Sequence, residues 1–217
     1  MKLSWLGHSS FRLEESTGTV VVTDPYHSYV GYEMPKTTAD IVTISHEHND
    51  HSCLNSIEGT PTVINRAGFY EINGVHMLAT KSFHDDKRGA IRGENLIFKY
   101  RMDGVDLCHL GDIGEECNAM LVERIMPVNI LMIPIGGSFT IDAEQAKEYV
   151  DHIMPDIVIP MHFKTKDCDF DIAKINEFLD LFDDEDIIHN DGNTVEFDRA
   201  DFDGENTKVL VLDKFSN

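Results

Sequence analysis

The residues most able to do chemistry in this chain form one short run, His46-Glu47-His48-Asn49-Asp50-His51. Three histidines and an interleaved aspartate supply imidazole nitrogen and carboxylate oxygen, donors that suit zinc, iron and manganese. His46 and His48 are two apart, so an extended segment points both rings to one side. Asp50 and His51 are adjacent and free to turn elsewhere, toward a second ion. The spacing predicts two metals side by side, the arrangement that hydrolyses esters, amides and phosphoesters.

Ligands need rigid elements behind them, and the chain supplies strand-like runs in the right places. Lys2 to Trp5, Ser10 to Glu14 and Thr19 to Thr23 are β-like, with Thr17-Gly18 as a turn. Asp40 to Ser45 is a β-branched run that feeds straight into the histidines. Pro61 to Asn65, Gly74 to Ala79, Asn95 to Arg101 and Val105 to Leu110 follow as short strands, the last two joined by an Asp103-Gly104 hairpin turn. Asn129 to Pro134 and Asp156 to Pro160 are almost continuously apolar, as buried strands are. A final strand covers Lys208 to Leu212.

Three helices are expected between these runs, in a chain whose pattern allows about four. One covers Glu115 to Ile125. The next carries Ala143, Ala146, Tyr149, Val150 and Ile153 on one face, with Thr140 or Asp142 as its cap. The last carries Ile172, Ile175, Leu179 and Phe182, begins at Asp169 or Asp171, and ends in an acidic turn from Asp183 to Asp186. Many short strands with a few helices predict an α/β sandwich, two sheets with helices outside. Asp24, His46, His84, Asp112 and His162 each fall at or just beyond a strand-like run, so the loops at one edge gather the polar groups.

Among the 11 histidines, His46, His48 and His51 are the primary ligand candidates. His84 sits in a polar loop after a strand. His162 follows the apolar run Ile157-Val158-Ile159-Pro160-Met161. Asp112 ends another apolar strand, beside Gly111, whose missing side chain is expected to let backbone come close to a metal. His109 lies within that strand and reads as a satisfied core histidine or one that supports a ligand from behind, and not as a ligand itself. His8, in Trp5-Leu6-Gly7-His8-Ser9-Ser10, either lines the site or hydrogen-bonds a ligand from behind, and is a candidate catalytic residue. His27, His76, His152 and His189 read as surface residues.

Composition narrows the function. At 217 residues with 41% apolar content, the chain is expected to form one domain over residues 1–217. No apolar run reaches about 18 residues, so no membrane span is expected. The first ten residues lack a signal peptide's apolar stretch, which makes the cytoplasm the expected compartment. Cys53, Cys108, Cys117 and Cys168 are scattered and expected to be free. The formal charge of −21, from 18 basic and 39 acidic residues, repels nucleic acid and anionic membranes at long range. That field is screened beyond about 8 Å at physiological salt, so a small polar substrate in a cleft stays compatible with it. Association with further copies of the chain is left open by composition.

Together with Trp5–Phe11, Thr23–Tyr26, His109–Asp112, Ile133–Gly137 and Ile159–Phe163, the H-x-H-x-D-H run resembles the metallo-β-lactamase fold superfamily over nearly the whole chain. The likeness is greatest to its small Zn-dependent hydrolases, which include ascorbate-6-phosphate lactonase-like proteins, and more distant to N-acylphosphatidylethanolamine phospholipase D. The resemblance implies a four-layer αββα sandwich with the site at one edge. It implies two divalent ions, zinc first and manganese or iron as alternatives. His46, His48 and His84 would hold one, Asp50, His51 and His162 the other, and Asp112 would bridge them. Asp24 would stand behind the ligands and orient the histidine loop.

Two departures refine this expectation. Asp112 stands where true zinc β-lactamases have a cysteine, which argues against antibiotic hydrolysis. His48 stands where flavodiiron oxygen reductases have a glutamate, which argues against redox chemistry. Two divalent ions, two carboxylates and a bridging hydroxide sum to about +1, a charge that attracts an anionic or strongly polar centre. The expected function is hydrolysis of a small polar or anionic ester, lactone or phosphoester by a hydroxide formed near neutral pH, with Asp50 placing the nucleophile or moving a proton. Because imidazole binds metal only when neutral, activity is expected to fall below about pH 6. A phosphodiesterase or nuclease on the same fold, and a non-catalytic metal-binding protein, are the alternatives. The missing basic stripe argues against the first and the full ligand set against the second.

Overall fold

The computed structural model describes residues 1–215. In chain order its first seven strands are β1 (Lys2–Gly7), β2 (Ser10–Glu14), β3 (Val20–Thr23), β4 (Thr37–Thr38), β5 (Ile41–Thr43), β6 (Ile57–Glu58) and β7 (Thr62–Ile64). There follow β8 (Gly68–Ile72), β9 (Val75–Phe83), β10 (Glu94–Met102) and β11 (Val105–His109). Helix and strand then alternate as far as β14, and two more strands follow: α1 (Ala119–Ile125), β12 (Ile130–Pro134), α2 (Ala143–Ile153), β13 (Ile157–Met161), α3 (Asn176–Leu179), β14 (Ile187–His189), β15 (Thr194–Glu196) and β16 (Lys208–Val211).

One sheet has six strands in the order β15-β1-β2-β3-β5-β7, antiparallel through β3 and parallel beyond it. Side chains alternate across it with the period of two that a strand imposes. Leu3, Trp5, Phe11, Leu13, Val21 and Ile41 enter the main core. Leu6, Val20, Val22, Val42 and Ile44 face the other way and are covered by Tyr26, Val30 and Met34 of the β3–β4 connection. The outer layer on this side is therefore a loop with a single 3-10 turn at Ser28–Val30.

The second sheet has eight strands in the order β14-β16-β13-β12-β11-β10-β9-β8. Its central strands β11, β12 and β13 are parallel and buried almost throughout, since helices cover the face turned away from the first sheet. α2 contributes Ala146, Tyr149, Val150 and Ile153 to the main core. Its Asp142 caps the Gln145 N–H while the Gln145 side chain returns to the Asp142 N–H, so Asp142 and not Thr140 begins the helix. The two-sheet sandwich of the metallo-β-lactamase type expected from the sequence is present, with its outer layer on the first sheet reduced to the β3–β4 loop.

Three local expectations are corrected. α1 starts at Ala119, four residues later than expected, because the Asn118 side chain caps the Leu121 N–H. The third helix shrinks to Asn176–Leu179. Its expected start is pulled straight by cross-chain bonds: Ala173 donates to the Gly136 carbonyl (2.8 Å) and accepts from Lys164 (2.8 Å). β8 is an addition to the strands expected from the sequence. It pairs with β9 through Asn73 and Gly74, both at positive φ (51° and 88°), which is the hairpin geometry also found at Asp103-Gly104.

Candidate metal centre

Six loops leave strand ends at one edge of the sandwich. His8 follows β1, Asp24 follows β3, the His46–His51 loop follows β5, His84 follows β9, Asp112 follows β11 and His162 follows β13. His8, Asp24 and His162 all adopt left-handed backbone, with φ of 51°, 36° and 51°. Each such residue costs on the order of 1–3 kcal/mol and persists only when its surroundings enforce it. Here they do. Trp5 Nε1 (3.0 Å) and the His162 N–H (3.3 Å) both donate to the His8 carbonyl, and the Asp24 N–H donates to the Thr43 carbonyl (2.9 Å).

Behind the histidine loop stands the buried Asp24 carboxylate. It accepts from the Ser45 N–H (2.7 Å), the Ser45 hydroxyl (2.6 Å) and His51 Nδ1 (2.9 Å). Burial pushes its pKa up, but the bond from His51 and the charges of nearby histidines outweigh this and keep it ionised. A carboxylate on Nδ1 leaves Nε2 of His51 pointing forward as a donor. The loop is not extended as expected, since β5 ends at Thr43 and residues 45–48 form bends. The bends nevertheless bring the rings of His46 and His48 to 4.6 Å, and both lie near His84, at 4.6 and 5.1 Å.

Donor atoms within 4.8 Å of one another form three overlapping groups: His46, His48 and His84; His8, Asp50, His51 and His162; and His46, His51 and Asp112. Asp112 joins them. Its Oδ2 lies 3.1 Å from His51 Nε2, 3.3 Å from His162 Nε2, 3.4 Å from His84 Nε2 and 3.9 Å from His46 Nε2. The Asp112 N–H is fixed by Asn95 Oδ1 (3.0 Å), whose amide also donates to the Leu110 carbonyl (2.8 Å). Gly111 serves this packing and not a close approach to metal: a Cβ there would come within 2.3 Å of Asn95 Oδ1 and 2.6 Å of Ser45 Cβ.

The donors fit divalent cations. His46 Nε2, His51 Nε2, both ring nitrogens of His8 and His162, and Asp112 Oδ1 are buried with no hydrogen-bond partner among the described residues. Buried polar groups are rarely left so, and a cluster of them aimed at common points is what a cation satisfies. Protonation supports the same use. Burial, then neighbouring imidazoles, holds His46 down to about 3 and His8 to about 4, so both are neutral at pH 7 with free lone pairs. Asp112 stays ionised because His162 and His51 outweigh its burial. Burial opposes a charge on His51 too, yet Asp112, Asp24 and Asp50 lift its pKa well above the usual value. A cation on Nε2 would take the place of that proton.

A cleft of about 430 Å³ opens onto the cluster, lined by His48, Asp50, His84, Asp112 and His162 and walled by Tyr29, Arg92, Phe139 and Phe170. The Tyr29 hydroxyl donates to Asp50 Oδ1 (2.7 Å), leaving Oδ2 turned toward His8 (3.4 Å) and His51 (3.6 Å). Arg92 lies over the Phe139 ring (4.9 Å) and donates to the Ser138 carbonyl (2.9 Å), with no ion pair among the described residues. A neighbouring hollow of about 590 Å³ shares His48 and Arg92 with the cleft and carries Arg66 and Lys81.

All nine site residues expected from the sequence converge here, His8 more closely than its motif suggests. His109 is excluded from the cluster: Nε2 donates to the Ser9 carbonyl (2.8 Å) and Nδ1 accepts the Gly111 N–H (3.1 Å). His27, His76, His152 and His189 are exposed, and the four cysteines are free. Tyr29, Arg92, Phe139 and Phe170 join the site without having been expected from the sequence. They follow no spacing rule, and only the flanking glycines Gly89 and Gly93 mark residues 87–93 as a shaped loop.

Comparison with known proteins identifies the family. The model of the Beta-lactamase superfamily domain family matches residues 2–162. A UPF0173 metal-dependent hydrolase of Methanoregula boonei is 31% identical over 192 residues, 76% of this chain and 83% of its own length. Another, of Methanoculleus marisnigri, is 28% identical over 188 residues, 76% of this chain and 82% of its own. The crystal structure of a candidate Zn-dependent hydrolase of the metallo-β-lactamase superfamily from Thermotoga maritima superposes with a TM-score of 0.80 at 36% identity, covering 97% of each chain.

Proposed function

From the premise that this chain belongs to the beta-lactamase superfamily and is a metal-dependent hydrolase, we propose that it works with two divalent cations on a small polar or anionic ester, lactone or phosphoester. His46, His48 and His84 would hold one cation and Asp50, His51 and His162 the other, with Asp112 available to both. The observation that carries this reading is Asp112 Oδ2, within 3.1–3.9 Å of four imidazole nitrogens from three other loops. Zinc suits the donor set, with manganese and iron as alternatives. When bound, the cations lower the pKa of a water toward neutrality and polarise the substrate oxygen.

The chain's own groups do the rest. Asp24 fixes His51 in the tautomer that presents Nε2. Asp50 is held ionised because the neighbouring rings of His8 (Nε2 3.4 Å from Oδ2) and His51 outweigh burial, and the Tyr29 hydroxyl fixes one of its oxygens. Its second oxygen is placed to position a nucleophile or take a proton. Arg92 at the cleft wall offers its guanidinium to an anionic substrate, and Phe139 and Phe170 offer an apolar surface beside it. Among the described residues no helix is long and apolar enough to cross a membrane. The free cysteines support a reducing compartment such as the cytoplasm.

Elemental analysis of the purified chain, with a hydrolysis screen over lactones, phosphodiesters and thioesters, tests the proposal. Two cations per chain and a chelator-sensitive hydrolysis are expected. Fewer than one cation per chain, or activity unchanged in each of His46→Ala, Asp112→Ala and His162→Ala, would overturn it.

A further inference from the structure

Two buried histidines meet at the β1–β2 turn, His8 within it and His109 against Ser9, and they differ in one respect. His109 has both ring nitrogens satisfied, by the Ser9 carbonyl and the Gly111 N–H. His8 is 2% exposed, and neither of its ring nitrogens has a hydrogen-bond partner among the described residues. A neutral imidazole carries one donor and one acceptor, and a buried one normally uses both. His8 is also held in place at some conformational expense. Its φ of 51° lies in a region that suits glycine and asparagine better than histidine. The Tyr32 hydroxyl accepts its N–H (2.9 Å), and Trp5 and His162 both donate to its carbonyl. This backbone clamp aims the ring at one place: its centroid lies 4.3 Å from that of His162 and 5.1 Å from that of His51, and Nε2 lies 3.4 Å from Asp50 Oδ2. Donor atoms of His8, Asp50, His51 and His162 all fall within 4.8 Å of one another.

We propose that His8 is a direct ligand of the cation shared by Asp50, His51 and His162. The inference rests on the two-cation reading above and deepens it. With Asp112, this cation has five protein donors, whereas the one at His46, His48 and His84 has four. Four donors satisfy tetrahedral zinc, while five exceed it and suit an ion that takes five or six ligands, such as manganese or ferrous iron. The two positions are therefore chemically unequal, and the His8 side is the one that discriminates between metals.

His8→Asn and His8→Gly test this, because both residues accept a left-handed backbone and leave the clamp intact. Titration calorimetry with Mn²⁺ and Zn²⁺, elemental analysis and the visible spectrum of the Co²⁺-loaded chain are the readouts. His189→Gln, at an exposed strand, is the control. Expected for His8→Asn is a loss of on the order of 10–100-fold or more in affinity for one of the two cations. Its Co²⁺ band should shift toward the more intense absorption of a lower coordination number. In His8→Gly, added imidazole restores the lost affinity and isosteric pyrrole does not. Unchanged affinities and an unchanged Co²⁺ spectrum in folded His8→Asn overturn the proposal. A crystal structure of the Mn²⁺-loaded wild-type chain decides independently of any variant: a His8 nitrogen within about 2.3 Å of a cation supports it, and one beyond about 3 Å overturns it. If the wild-type chain binds a single cation, the two-cation reading fails, while the same affinity comparison on that cation still decides the role of His8.

Discussion

His48 is exposed to the cleft, while His162, on the other side of Asp112, is buried with neither ring nitrogen hydrogen-bonded. The contrast extends to their neighbours. His48 belongs to a bent surface loop in which Glu47, His48 and Asn49 are all exposed. His162 shares its side with His8, His51 and Asp50, each buried and each fixed by a neighbour: the backbone clamp on His8, Asp24 on His51, Tyr29 on Asp50. The cluster thus has a more open side, where exposed His48 stands beside buried His46 and His84, and a more closed side, where every donor is buried although Asp50 and His162 still reach the cleft wall. The closed side carries the cost of burying unpaired polar atoms, so it is where a cation contributes most to holding the fold together.

Removing the group common to both sides should have the largest effect. Asp112→Ala is expected to release both cations and lower hydrolysis by more than about 100-fold, since even groups that only support ligands are worth 10–100-fold. Retention of one tightly held cation would mean that the closed side stands without Asp112, and would sharpen the contrast. Next in size is Asp24→Asn. Asparagine tolerates the φ of 36° at this position, so the backbone survives, but the anion behind His51 is gone. Cation affinity should fall by roughly 10–100-fold on the closed side, and less on the other, which Asp24 reaches only through the Ser45 hydroxyl beside His46 Nδ1. An equal fall at the His46, His48 and His84 site, read by calorimetry, would show that the two sides are not separately supported.

The ligands are the more legible part of the sequence on both sides. His46, His84, Asp112 and His162 stand at or near the ends of strands, and a strand end fixes where the next residue goes. Period-two alternation in residues 2–5 and 10–14 and continuously apolar runs in residues 20–22, 130–134 and 157–161 locate both sheets for the same reason. The cleft walls depend on loops whose shape comes from tertiary contacts. Arg92 reaches the cleft because the loop from Lys87 to Arg92 is gathered on Asp85, and Tyr29 because a connection folds over the outer face of the first sheet. Residues 172–175 carry helical spacing, but the bonds of Ala173 to Gly136 and Lys164 prevail over that tendency. β14 and β15 are three-residue edge strands with largely exposed side chains, too short for periodicity to register. Asn73-Gly74 is different. It carries the hairpin signal in plain view, and β8 can be inferred from it.

If substrate enters from the open side, Arg92 should govern binding more than turnover. Arg92→Gln keeps polarity and loses the charge. KM for an anionic substrate should rise about tenfold, the size of one charge-assisted hydrogen bond at a wet site, with kcat nearly unchanged. A neutral substrate of the same shape should show little change. Equal losses for both substrates would mean that Arg92 shapes the cleft through Phe139 and Ser138 and does not read charge.

The smallest expected effect concerns the support of that arginine. Asp85 accepts four backbone N–H groups, from Lys87 (2.8 Å) and Gly89 (2.9 Å) on Oδ1 and from Ile91 (2.9 Å) and Arg92 (2.7 Å) on Oδ2. Desolvation favours the neutral acid, but these donors prevail and hold its pKa down to about 2. A carboxyl depressed below its unfolded value of about 3.9 stabilises the fold above that pH and loses the contribution as pH falls toward 2. The loop should therefore stay closed at neutral pH and loosen only in strong acid. Asp85→Asn creates a similar deficit at neutral pH, because an amide has one acceptor oxygen and can serve only one of the two pairs. Hydrogen exchange should then quicken at either Lys87 and Gly89 or Ile91 and Arg92, with a KM increase smaller than that of Arg92→Gln. Cation affinity on the closed side should not move, because the four bonds to Asp85 all come from its own loop and none from His8, Asp50, His51 or His162. A fall in that affinity would mean that the loop around Asp85 supports both sides of the cluster.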